Sequence, residues 1–373
     1  MILAALVRKE LIEIRRDPVT LVTAIVLPLL LLFIFGYGIT LDVKDVRFAV
    51  LDRDRTQASA RLVEAFDASE YFRRVRELDA EQEIDSVLDH GEATLVVVVP
   101  PSYARRLASG TPADVQLLID GSFSATALVV LSYARAVVNR HSIALAESAA
   151  RAQGLAPPPH VGLAARVWYN APMRSVNYIV PGLFAVLLMA FPPLLTSLAI
   201  VKEKEGGTIE QVFVSPVRPA IFILGKILPY AGIAFVEMLI VLAVGTFWFD
   251  IPFRGSLPLL LAASLIYVFV TVGIGVFVST LVRTQVAAVF LSLVVTMMPS
   301  FLFSGFLFPI ATMPYVLQLY TYAFPARYFN DVSRDLYLKG VGIEYLWWNA
   351  LLLAAYGAVI VAFATWRFRK KVA

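Results

Sequence analysis

Six separate runs of this chain are apolar over roughly 20 residues or more, and this property constrains its fold most. They lie at about 19–39, 177–201, 223–249, 257–281, 286–308 and 346–368. At about 1.5 Å of rise per residue, each is long enough as a helix to cross a hydrocarbon core of ~30 Å. Lipid offers the backbone no hydrogen-bond partner, so an unpaired spanning segment must satisfy itself as an α-helix. The sequence therefore predicts a polytopic α-helical membrane protein with six transmembrane helices.

One long stretch between the first two runs is different. The chain as a whole is 59% hydrophobic and 16% charged, whereas soluble domains run near a quarter charged. Residues 41–175 nevertheless hold 32 of the 60 charged side chains. Strand-like runs at 47–51, 93–99 and 115–119 alternate there with helix-like runs at 58–66, 81–88 and 103–107. A long helical pattern follows from 124 to about 153, and Gly154 with Pro157-Pro158-Pro159 ends it. A last strand is expected over 161–169. This is an α/β domain inserted between helices one and two.

The domain division predicted is 1–17 for an amphipathic N-terminal helix, 18–40 for the first span and 41–175 for the inserted domain. Spans two to six occupy 176–368, and 369–373 form a tail. In the N-terminal helix Leu3, Val7, Leu11 and Ile14 share one face, and Lys9, Glu13 and Arg16 the other. With Arg8, Lys9, Arg15 and Arg16 it would lie flat on the membrane surface; the alternative is a polar extension of the first span. Asp17-Pro18 reads as an N-cap followed by proline at the first helical position. No small-residue cleavage site follows the first run, so no cleavable signal peptide is expected.

Short-loop lysines and arginines set the orientation. Four precede span one; Lys202, Lys204 and Arg218 lie between spans two and three, Arg283 between four and five, and four more follow span six. The other side has Arg254 alone in one connection and Arg327, Arg334 and Lys339 in the other. This bias places both termini in the cytoplasm and the inserted domain outside, since long loops translocate regardless of charge. Residues 309–345 are rich in proline and tyrosine yet stay apolar. Two short helices, 314–320 and 326–338, dipping into the outer leaflet would explain this, with Tyr315, Tyr320, Tyr328, Trp347 and Trp348 at the interface.

The net charge of +4 gives no case for a nucleic-acid partner, because basic residues gather at the ends of apolar runs, against headgroups. The chain has no cysteine, which excludes thiol chemistry and cysteine metal sites. His90, His141 and His160 lack ligand spacing, so no metal site is expected.

The stretch that leaves span two carries the clearest motif: Lys202-Glu203-Lys204-Glu205-Gly206-Gly207-Thr208-Ile209-Glu210-Gln211-Val212-Phe213-Val214-Ser215-Pro216. Thr208 and Gln211 fit a capping box, and Pro216 stops a helix of about two turns. Ile209, Val212 and Phe213 could dock on a partner. Residue patterns alone leave open whether this helix has one. The stretch 203–211, with Ser215-Pro216, resembles the cytoplasmic signature of ABC-2 type permeases. Ser304-Gly305-Phe306-Leu307-Phe308-Pro309-Ile310 with Met313-Pro314 resembles that family's end of span five, and Arg8-Lys9-Glu10-Leu11 with Arg15-Arg16-Asp17-Pro18 its start. The large inserted domain is similar to the subgroup called YhhJ/YbhR-like.

The resemblance implies a permease subunit of an ATP-binding-cassette exporter. It would sit in a bacterial inner membrane and pair with a second permease, identical or paralogous. A cytosolic ATPase subunit, binding ATP and Mg, would drive it. Residues 208–214 would be the coupling helix, with Glu203, Glu205, Gly207, Thr208, Ile209, Glu210, Gln211 and Phe213 as coupling residues. Efflux of an amphipathic or hydrophobic cargo, drug or lipid-like, would proceed by alternating access, along a path lined mainly by spans two and five. The inserted domain would hand cargo to a periplasmic adaptor.

A phosphate loop in this chain would need glycine where Ala220 stands and Ser or Thr where Ile227 follows Gly225-Lys226, so ATP is expected on another chain. Glu237 lies well inside span three and is an intramembrane candidate for the path or for proton handling; a carboxyl paired for packing is the alternative. Pro181, Pro192 and Pro299, with Ser304, are path or hinge candidates in spans two and five. Asp52-Arg53-Asp54-Arg55 reads as a solvated turn after a strand, with an ion or partner site as the alternative. Two further readings stay open from sequence: an ion-gradient-driven secondary transporter, and a membrane receptor with an extracytoplasmic sensor domain.

Overall fold

The computed structural model describes residues 2–39, 45–154, 156, 168–208 and 219–367. It divides into two compact units, Met1–Thr40 with Val167–Ala373, and Leu41–Arg166.

The first unit opens with α1 (Ile2–Arg16) and α2 (Pro18–Gly38), which is span one. Asp17 between them is the N-cap of α2. Its carboxylate accepts from the Val19 and Thr20 amides at 3.1 and 3.2 Å, and Pro18 stands where no N–H is needed. Those bonds and Lys202 hold its pKa below the ordinary value although burial works the other way.

The second unit is a three-layer α/β domain. Its elements are β1 (Val46–Asp52), α3 (Gln57–Asp67), β2 (Phe72–Glu77), α4 (Glu83–Asp89), β3 (Leu95–Val99), α5 (Tyr103–Ala108), β4 (Gln116–Ile119) and α6 (Ser124–Ala152). The sheet order is β2-β1-β3-β4, parallel except for β4, which runs antiparallel to β3. β1 and β3 are buried on both faces, as parallel strands between helical layers must be. Phe48, Val50, Val97 and Val99 meet Phe66, Val130 and Ala134 on one face, while Ala49, Leu51 and Val96 meet Ile84 and Val87 on the other. The sequence gives no hint of β2: of Phe72-Arg73-Arg74-Val75-Arg76-Glu77 only Phe72 is buried. It is a strand because β1 offers it a parallel ladder at the sheet edge. The strand expected over 161–169 lies outside the described residues as far as 167, and Trp168 and Tyr169 are in irregular backbone. The acidic turn is structural: Asp52 accepts from the Asp54 and Arg55 amides and Ser59, and Asp54 from Thr56 and the Ala104 amide.

The helical unit resumes before span two, where Asn177 donates to Asn170 at 2.8 Å and Asn170 to the Arg174 carbonyl at 3.0 Å. Then come α7 (Ser175–Glu205, span two), α8 (Pro219–Ala243, prolonged by a π-helical turn Val244–Trp248; span three), α9 (Leu257–Leu281, span four) and α10 (Gln285–Phe303, span five). Two short helices follow, α11 (Tyr315–Thr321) and α12 (Pro325–Arg334), and then α13 (Ile343–Arg367, span six). Among the described residues six helices are long and apolar enough to cross a membrane. Span two is the axis of the bundle. It is 89% buried and touches spans one, three, four and five and α12, whereas span six is 11% buried and packs mainly on span four.

Candidate functional site

Span two ends in four consecutive charged residues, Lys202 to Glu205. Successive side chains on a helix step round its axis by about 100°. On a helix surrounded by others, four in a row must therefore point at different neighbours. Lys202 Nζ lies 3.1 Å from Asp17 Oδ2 at the cap of span one. Glu203 meets Lys9 of α1 and, at 3.0 Å, Lys226 of span three. Lys204 donates to the Ser279 carbonyl at the end of span four. Glu205 accepts from both the backbone and the side-chain amide of Gln285, which opens span five; the backbone bond is 2.9 Å. One turn of span two is thus bonded to α1 and to spans one, three, four and five.

The centre of this cluster is dry. Lys226 is 2% exposed and reaches Glu10, itself 3% exposed, at 2.7 Å. Lys9 adds bonds to Glu10 at 3.4 Å and Glu13 at 3.2 Å. Burial opposes the charge on Lys9, but the hydrogen bond and charge of Glu203, with Glu10 and Glu13, outweigh it and hold the ammonium above the ordinary lysine range. Glu10, Glu13 and Glu203 come close enough together to hold a cation, but the two lysine ammonium groups already bond them. Close helix contact makes the pairing reachable. A Cβ on Gly225 would lie 2.9 Å from Leu6 Cβ, so only glycine lets α1 cross span three there. Lys226 is the next residue along, and Glu10 lies one turn beyond Leu6.

On the expected apolar face of α1 Ile14 is buried and Leu3 and Val7 are half-buried, but Leu11 is 49% exposed and Glu10 is buried instead. Pairing with Lys226 accounts for the inward Glu10, because two buried charges cost far more apart than one leucine costs in contact with lipid or water.

Of the predicted coupling residues, Glu203 and Glu205 belong to this cluster. Gly207 has φ +70°, and Thr208 donates to the Glu203 carbonyl at 3.2 Å. Ile209, Glu210, Gln211 and Phe213, and with them most of the expected 208–214 helix, lie outside the described residues. Lys9, Glu10, Lys226 and Gln285 escaped the sequence reading of this site. A signal was present for one of them: Lys226 is an isolated ammonium in an apolar helix and needs a buried partner, the same rule that singled out Glu237.

Glu237 stands apart from the cluster. It is 2% exposed, and neither carboxylate oxygen has a hydrogen-bond partner among the described residues. Pro181 and Pro192 are buried inside this chain's own bundle, on its most enclosed helix. Pro299 follows a π-helical turn, Leu293–Met297, the kind of local widening that relieves a proline in a helix. Ser304 is buried at the end of span five.

The chain is similar in sequence to known proteins over most of its length. The sequence model of the ABC-2 family transporter proteins matches residues 18–366. The "Probable multidrug ABC transporter permease YbhR" of Escherichia coli (strain K12) is 33% identical over 367 residues, 98% of each chain. YbhS of the same strain, described in the same words, is 33% identical over 98% of this chain and 96% of its own. The "Inner membrane transport permease YhhJ" of that strain is 26% identical over 87% and 85%.

Proposed function

The chain belongs to the ABC-2 transporter family, and on that premise we propose that it is the membrane subunit of an exporter powered by a separate cytosolic ATPase. The observation that carries the mechanism is the last turn of span two, where four adjacent charges bind α1 and four spans. A force applied to residues 208–214, directly beyond it, would reach α1 and four of the other five spans at once. ATP and Mg belong to the partner. ATP closure would pull this turn, and α1 would move with it through Lys9 and Glu10. The spans would then alternate between inward- and outward-facing states.

Two such permeases would form the path between them. The cargo class is amphipathic or hydrophobic, drug or lipid-like, in keeping with relatives described as multidrug permeases. The chain would lie in a bacterial inner membrane with both termini cytoplasmic, and the α/β domain would face a periplasmic adaptor.

Co-purification with candidate ATP-binding-cassette ATPase subunits of the same cell tests this reading. Ile209→Asp with Phe213→Asp should weaken ATPase capture tenfold or more, about 1.4 kcal/mol or above, as loss of a buried apolar anchor does. An ATPase that binds the variant as well as the parent would sink the coupling assignment.

A further inference from the structure

The end of the bundle opposite the charge cluster is closed by one helix. On α12, Asn330, Ser333 and Arg334 stand at i, i+3 and i+4 and so share a face. Each bonds a backbone carbonyl of another helix. Asn330 Nδ2 donates to Ser304 O at 2.9 Å, at the end of span five. Ser333 Oγ donates to Pro181 O at 2.7 Å, in span two. Arg334 joins both: Nη1 donates to Gly305 O at 2.7 Å, Nη2 to Phe306 O at 3.0 Å and Nε to Tyr178 O at 3.3 Å. Its guanidinium also lies 3.6 Å from the centre of the Tyr178 ring.

The acceptors are of a kind that a helix cannot satisfy alone. Ser304, Gly305 and Phe306 follow the last turn of span five, where carbonyls have no amide ahead of them. A cation there also meets the negative end of the helix dipole. The space for it is made by a glycine: a Cβ on Gly182 would lie 2.6 Å from Arg334 Nη2 and 2.7 Å from Phe306 Cδ2. Asn330, Ser333, Ser304 and Phe306 are all buried. The planar fork of arginine fits three carbonyls and a ring at once, which a lysine ammonium does not.

We propose that Asn330, Ser333 and Arg334 form an outer clasp that holds the seam between spans two and five shut, and that this clasp must release for cargo to leave. Arg334 is a positioning residue for that gate. The proposal rests on the alternating-access reading above. Because α12 packs far more extensively on span two than on the end of span five, separating the outer ends of these spans breaks the bonds to Ser304, Gly305 and Phe306. The clasp therefore sets how readily the outward state forms.

The test uses the full chain produced with its ATPase, and the lack of native cysteine makes introduced thiols unambiguous. Ser304→Cys is first labelled with a charged, membrane-impermeant maleimide. Labelling should be slow in the otherwise unaltered chain and about tenfold faster with Arg334→Gln, for the loss of charge-assisted hydrogen bonds. Arg334→Lys should fall between. Equal rates in all three overturn the clasp. Ser304→Cys is then combined with Asn330→Cys and oxidised. The bridge should stop ATP-driven dye efflux from vesicles, and a reductant should restore it. A pair that does not bridge, or efflux that continues through a bridged pair, overturns the gate. The labelling arm needs neither ATP nor cargo. An unaltered chain that exports nothing would thus count against the transport reading, while the labelling rates still decide the clasp.

Discussion

Removing Lys226 would leave Glu10 and much of Glu203 as buried carboxylates facing each other with one fewer cation between them. Breaking a buried pair from one side costs about 3–5 kcal/mol, whereas removing both partners is far cheaper. Lys226→Met should therefore lower the unfolding midpoint of the purified complex sharply, and adding Glu10→Gln should recover part of the loss. Strict additivity in that double-mutant cycle would mean that the two side chains do not interact. Glu237 invites a different prediction. A buried carboxyl without a hydrogen-bond partner among the described residues, inside an apolar span, is hard to justify by packing. Glu237→Gln should reduce efflux and leave ATPase capture unchanged; full efflux would remove it from the path. Sequence reading singled out Glu203, Glu205 and Glu237 as candidates, because a motif or a lone charge in an apolar run marks them. It missed Glu10 because that residue lies in a helix full of charges, where nothing local tells which one turns inward.

Elements were legible where the signal was local. The six spans follow from length and hydropathy, and the start of span one from Asp17-Pro18, and the structure places helices there. β2 was invisible because its strand character comes from pairing with β1 and not from its own alternation. Helix contacts were likewise hidden, since a glycine in an apolar run does not announce its neighbour. Gly275 of span four is the sharpest case: a Cβ there would lie 2.5 Å from Pro193 O, backbone that cannot step aside. Helices in lipid associate through such close packing and not through hydrophobic expulsion. Gly275→Val should destabilise the purified protein by about 1–3 kcal/mol or more, as overpacking does. A Cβ on Gly232 of span three would meet nothing within 4 Å. Gly232→Ala should be neutral or stabilising by up to about 1 kcal/mol, the helix-propensity gain. Thermal unfolding in detergent separates the two, and a reversed order would contradict the packing described.

At the scale of the molecule, the bundle has two unlike ends. One gathers eight lysine and glutamate side chains at the last turn of span two, and the other is closed by carbonyl-binding side chains of α12. On the proposed coupling role of residues 208–214, the ionic cluster beside them suits the side of the ATPase, and short-loop basic residues favour the same side for the cytoplasm. The bundle packing itself is indifferent to which end faces which compartment, so the orientation needs its own measurement. The cysteine-free chain again supplies it. Ala108, in the α/β domain, and Arg283, between spans four and five, are both exposed. Ala108→Cys should react with an impermeant maleimide in cells whose inner membrane is intact, and Arg283→Cys only once that membrane is opened. The opposite pattern would invert the protein. It would put residues 208–214 beyond the reach of a cytosolic ATPase, so the coupling mechanism would fall with the orientation. The clasp would still hold spans two and five together, but it would then guard the cytoplasmic end.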